Sequence, residues 1–327
     1  MREIKEVNEL FLMTVITGLV GSYIFVSLGL NKGDYFISLL YSQFILVLPT
    51  ILYIIIKRIS VKELFRFRKI RIGTIFLIVL FAFLIMPLMQ EINLISMLFA
   101  KNEITSKMYA ITDNKPFLVS LFLIAVIPAI FEESVYRGCF FHTYSKKSPL
   151  KAILLSGLLF GLMHLNFNQF SYAFIMGMIF CILIEGTDSI VSSMIVHFVI
   201  NGWSVLMLYV MPLVQKMAGD RASEMNVLTE NASALSREAL LISIVSYGFI
   251  ACLATVLAVL VLIAIVKHEG RWEHMKQVFQ KKGKTGAKAE YMEKDTSILF
   301  GIERNHAYPL WIGCGICIVY MIMNEIQ

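Results

Sequence analysis

Three sets of residues able to do chemistry interrupt apolar stretches of this 327-residue chain. They are Glu132, Glu133 and Arg137 in AIFEESVYRG, Phe160 and His164 in FGLMHLN, and His197 and Asn201 in HFVIN. A charge near the centre of a bilayer costs roughly 2.5–3.5 kcal/mol even on lenient insertion scales, so such residues mark functional sites by default. Residues four apart share a helix face, so each set aims at one place. Adjacent glutamates point about 100° apart and must do different jobs. Glu133 and Arg137 stand in the favourable order for an i, i+4 ion pair, which leaves Glu132 to face a cavity with His164 and His197. A desolvated glutamate suits a general base for water, and an asparagine amide can donate to a developing oxyanion beside histidine. The same Glu132, His164 and His197 could instead hold zinc, with water as the fourth ligand. Both versions attack a carbonyl with water. No G-x-S-x-G and no intramembrane aspartate pair competes. Polar groups that only glue helices together are the plain alternative.

These residues need elements that can hold them in lipid. The chain is 58% hydrophobic and 16% charged, with a mean hydropathy of +0.74, against about 25% charged in soluble domains. That composition excludes a soluble globular protein and implies an all-α, polytopic transmembrane bundle. Nine apolar runs lie near 10–30, 36–56, 73–90, 117–140, 152–167, 169–186, 188–212, 240–266 and 307–323, the fifth, sixth and ninth rather short for a span; eight or nine crossings are expected. The first follows a charged arm without a cleavage site, so it reads as a retained span. With a cytoplasmic N-terminus, 22 of the 29 Lys and Arg fall on the inner side. Basic inner loops facing anionic lipid then account for the net charge of +6 without nucleic acid. The expected location is a bacterial cytoplasmic membrane, with membrane lipids as partners.

Depth supports a common site. Glu132 falls near the middle of its helix, and His164 and His197 fall roughly 20 and 14 Å inside the inner surface at about 1.5 Å per residue. Pro128 disrupts helical bonding one turn before Glu132, and lipid tolerates broken helix only beside protein or a wet cavity. Away from these motifs the residues have plainer readings. The five cysteines are packing residues, Cys314-x-x-Cys317 included. His142 is an interfacial residue. Asn166 and Asn168 cap a helix. EGTD (185–188) is a solvated turn, and HEGRWEH (268–274) is a solvated helix start that lacks the zinc-peptidase spacing. Segment 215–238 is an external connection, and 267–297 a basic cytoplasmic linker.

The three motifs, in this order on separate spans, resemble those of the CPBP family of intramembrane proteases, the CAAX-protease and bacteriocin-processing (Abi) proteins. The resemblance covers about 116–212, between N-terminal spans over 1–115 and a C-terminal part over 213–327. It implies a bundle with a central conical cavity open to cytosol and lipid. It also implies an endopeptidase that hydrolyses a membrane-associated or lipid-modified peptide, prenylated or a peptide precursor. The catalytic set would be Glu132, Glu133, Arg137, His164, His197 and Asn201. Zinc or a metal-free glutamate mechanism both fit the family, and the Asn201 amide leans the reading to the metal-free one. Non-proteolytic immunity scaffolds are also members, and a proton-coupled transporter is a more distant alternative.

Overall fold

In lipid every backbone polar group has to be satisfied within the protein, and helices do this segment by segment. The structure, a computed structural model, describes residues 2–32, 34–102, 104–218, 236–280 and 304–326. Twelve helices and no strand occur among them. They are α1 (Arg2–Ser27), α2 (Tyr35–Lys57), α3 (Val61–Leu64), α4 (Ile72–Ser96), α5 (Ile104–Thr112), α6 (Phe117–Ser145), α7 (Pro149–Leu162), α8 (Phe167–Thr187), α9 (Ile190–Ala218), α10 (Arg237–His268), α11 (Trp272–Phe279) and α12 (Arg304–Ile326). Eight are long and apolar enough to cross a membrane. The fifth expected span is α7, whose 14 residues reach only about 21 Å at 1.5 Å per residue. It stops because His164 and Leu165 turn the chain back, Leu165 in the left-handed region at φ 54°, and Asn166 caps α8 by accepting from the Gln169 amide at 2.9 Å.

Contacts at the two ends show that the helices alternate in direction once the short α7 is counted, α6 and α8 both finishing at the same end with α7 running between them. One end gathers the basic segments. Lys57 pairs with Glu6 at 2.7 Å, Lys146 with Glu3 at 3.0 Å and Arg68 with Asp188 at 2.6 Å. At the other end Lys115 pairs with Asp34 at 3.1 Å and holds that carboxyl below the usual range. There too the Lys101 amide donates to Glu325 at 2.9 Å.

The basic end corrects one expectation and qualifies another. Glu185 is not in a solvated turn: it is 3% exposed, accepts from Arg66 at 3.0 Å, and contacts His274 of α11. Segment 268–274 is partly exposed, as expected, but it is also tied to the bundle. His268 Nδ1 lies 2.7 Å from the Thr74 hydroxyl, Glu269 accepts from Thr74, and Arg271 Nε donates to the Glu185 carbonyl at 3.2 Å. The start of the expected linker is therefore docked under α4 and α8, while 281–297 lies outside the described residues. So does most of 215–238, since α9 runs to Ala218 and α10 starts at Arg237. His142 accepts from Arg66 Nε at 3.4 Å. Asn168 is not only near a cap: it is buried and donates to Ser96 at 2.6 Å. The cysteines Cys139, Cys181, Cys314 and Cys317 are buried and unbridged, and Cys252 is exposed.

The site rests on one close helix pair. Gly157 and Gly161, four apart on α7, face α8, and small residues let helix backbones in lipid approach closely. A Cβ on Gly157 would stand 2.8 Å from the Phe174 carbonyl and 2.7 Å from Met178 Cγ, and one on Gly177 would stand 2.8 Å from the Gly157 Cα. Overpacking such a contact costs about 1–3 kcal/mol. Gly157→Val is expected to lower thermal stability and membrane abundance, whereas Leu154→Val, on the lipid-exposed side of the same helix, should leave both near wild type; a thermal melt of the detergent-purified proteins compares them.

Candidate active site

The site is built on α6, the most buried of the eight spans and also the least regular. Pro128 has no N–H, so the carbonyl one turn earlier, that of Ile124, loses its helical donor. A π-helical turn over Phe122–Val126 precedes it, and a second π segment covers Ser134–Phe141. Asn201 of α9 supplies the missing donor, its Nδ2 lying 3.0 Å from the Ile124 carbonyl. Asn201 was expected to donate to an oxyanion; one of its two amide hydrogens is committed to the backbone instead.

Glu133 and Arg137 form a 2.9 Å ion pair with both side chains fully buried. The guanidinium carbon lies 4.2 Å from the Phe160 ring centroid, 4.9 Å from Phe180 and 5.9 Å from Tyr136. Desolvated cation–π contacts of this kind are worth about 2 kcal/mol or more, and they stand in for water around the charge. Phe160, one turn before His164, is thus the floor under Arg137. Phe180 serves the same cation without any signal in its surrounding sequence.

The same Glu133 oxygen also meets His197 Nδ1 at 3.0 Å. A carboxylate only accepts, so Nδ1 carries the proton and Nε2 is turned the other way. Nε2 lies 3.8 Å from Glu132 Oε2. The expectation that His197 and Asn201 act together on one oxyanion is therefore modified: His197 is anchored to Glu133 and presents only Nε2. Glu132 is 14% exposed, unlike its neighbour. Its Oε1 accepts from Gln43 Nε2 of α2 at 3.0 Å. Sequence reasoning missed Gln43, although a lone amide in the run LLYSQFILVL was the available signal.

His164 sits just past the end of α7, its Nδ1 2.8 Å from the Phe160 carbonyl and its ring edge-on to Phe160 at 4.9 Å. The carbonyl can only accept, so Nδ1 donates and Nε2 is left as an acceptor. Phe160 is also edge-on to the His197 ring, 6.1 Å between centroids, so both imidazoles border the same side chain. The structure thus brings Glu132, Glu133, Arg137, His164 and His197 to one place, with Asn201 one turn above His197 and turned toward α6. For a metal, Glu132, His164 and His197 are chemically suitable donors, each histidine with one nitrogen tied and one free. Among the described residues, however, no three His, Cys, Asp or Glu side chains converge closely enough to hold an ion, so in this arrangement they do not make a metal site.

The pairing of Asn201 with the carbonyl freed by Pro128 can be tested as a cycle. Asn201→Ala leaves a buried acceptor unpaired, at about 1–3 kcal/mol. In a Pro128→Ala background the restored N–H can reach Ile124, so the same substitution should cost measurably less stability; equal losses in both backgrounds, read by thermal or chemical unfolding, would disprove the coupling.

Residues 114–203 match a family described as Rce1-like, type II CAAX prenyl endopeptidase Rce1-like. The matched segment contains all three motifs and omits α2 with Gln43. No curated protein and no solved structure matches the chain. The motif order, the helices that carry it and this match agree, and over residues 114–203 the chain carries a domain of the CPBP family of intramembrane proteases.

Proposed function

We propose that the protein is an intramembrane endopeptidase that hydrolyses a peptide bond with water activated by Glu132. One observation carries the reading most: two adjacent carboxylates have separate fates, Glu133 fully buried against Arg137 and His197, Glu132 partly open and facing His197 Nε2. Glu132 takes a proton from water as the oxygen attacks the carbonyl carbon. It returns that proton to the amine nitrogen as the C–N bond breaks, giving an acid and an amine. His164, with Nδ1 spent on the Phe160 carbonyl, offers Nε2 to orient the water. The second amide hydrogen of Asn201 remains for the oxyanion. Glu133 and Arg137 act through His197, whose ring they hold.

The basic end of the bundle faces the cytoplasm in this reading, as Lys and Arg excess predicts, and places the N-terminus there. The substrate is a membrane-associated or lipid-modified peptide, a prenylated cysteine being the class suggested by the matched family. The test uses an internally quenched peptide carrying a farnesylated cysteine, alongside its unlipidated form, with protein purified in detergent. Wild type should cleave the lipidated peptide. Glu132→Gln should abolish cleavage with an unchanged melt, while Glu133→Gln, which strands a buried Arg137, should lose both activity and stability, the latter by about 3–5 kcal/mol. A Glu132→Gln protein that cleaves at the wild-type rate would overturn Glu132 as the base, whereas a wild type that cleaves neither peptide would favour a non-proteolytic scaffold.

A further inference from the structure

We propose that Gln43, on a helix outside the matched domain, is a positioning residue that selects which oxygen of Glu132 acts as the base; this rests on the reading of Glu132 as base. Gln43 is 7% exposed, and its Nε2 lies 3.0 Å from Glu132 Oε1. Because an ionised carboxylate only accepts, the amide has to present its nitrogen to Glu132. Its own Oε1 is then turned away, buried, with no hydrogen-bond partner. An amide kept to hold two helices together would be expected to use both ends, since an unpaired buried acceptor is unfavourable. Nor does the contact between α2 and α6 need this amide: a residue adjacent to each partner already supplies an edge-to-face pair, Phe44 on Phe131 at 5.7 Å between centroids. What Gln43 contributes is direction. With Oε1 occupied, the carboxylate cannot spin freely, and Oε2 is the oxygen left facing His197 Nε2 at 3.8 Å. A water bridging those two atoms would lose its proton to Oε2 in a fixed orientation, and positional errors near the reacting atoms are costly.

The inference extends the site beyond the three motifs. α2 becomes part of the machinery, and a polar residue in the middle of an apolar run acquires a role in turnover instead of in helix association. A positioning donor and a packing residue differ in what their removal changes. Gln43→Met keeps length and removes the donor, and an apolar side chain in a span should not impair folding. With the farnesylated quenched peptide, we expect kcat to fall about 10- to 100-fold, KM to change less than about 3-fold, and the melt to stay at the wild-type value. In a Glu132→Gln background, where no carboxylate remains to be held, Gln43→Met should leave affinity for the same peptide unchanged. A wild-type kcat in Gln43→Met overturns the inference, as does a loss matched by a lower melting point or by weaker peptide binding in the Glu132→Gln background. Cleavage by Glu132→Gln alone would instead defeat the assignment of the base, and is read from a different protein.

Discussion

The ion pair of Glu133 and Arg137, sealed from water within a bundle of lipid-facing helices, is the constraint on which the rest of the site depends. Two charges at this depth carry a desolvation penalty that their mutual attraction repays only with good geometry and further partners. Those partners come from other helices. Phe160 of α7 and Phe180 of α8 place ring faces around the guanidinium, and His197 of α9 donates to the carboxylate. Satisfying one buried pair therefore draws three helices onto α6. The close approach of α7 and α8 at Gly157 and Gly177 belongs to the same requirement, because a Cβ on Gly177 would sit 3.2 Å from Arg137 Nη2. A bulkier residue there would push against the cation it helps enclose.

The division between Glu132 and Glu133 follows from helix geometry before any chemistry. Two neighbours on one helix face directions about 100° apart, so one is locked in the protein while the other stays partly exposed. The locked one sets His197 through Nδ1. Through the ring, that bond reaches the open one, since Nε2 is the atom that faces Glu132. In the proposed reading the pair is a support and a working group linked by one imidazole, a relation that suits acid–base work on a water.

Much of this was legible in the sequence. The i, i+4 spacing identified Glu133 with Arg137 and singled out Glu132, and proline before the glutamates marked the broken helix. Hydropathy located the spans and marked the fifth run as short, and a left-handed residue and an asparagine cap at 165–166 are what end α7 early. Residues whose partners are remote in the chain were not legible. Glu185 and Asp188 look like a solvated turn until Arg66, 119 positions from Glu185, is brought beside them. The polar 268–274 segment is partly exposed, and its ties to Thr74 of α4 are equally remote in the chain. Gln43 carries only the weak signal of an amide among apolar residues, and its partner lies 89 positions away. Local patterns report which residues are polar; they do not report which polar residues will find each other.

The irregular backbone of α6 completes the physical picture. A regular helix through this segment would have put every carbonyl to use and left nothing for a neighbouring helix to bind. Pro128 and the π turns on either side of the glutamates remove that regularity, and π-helical turns are frequent at functional sites. In lipid the freed carbonyl of Ile124 has to be met by protein, and Asn201 meets it from α9. The helix that carries the carboxylates is therefore tied to the helix that carries His197 at two levels near the site, once through Glu133 and His197 and once through Ile124 and Asn201, and again further along where the Ser120 and Tyr209 hydroxyls lie 2.8 Å apart. Such attachments on one pair of helices restrict both sliding and rotation, so the distance between Glu132 and His197 is set by the backbone as well as by the side chains. The irregularity that weakens α6 as a helix is what fixes it as a scaffold.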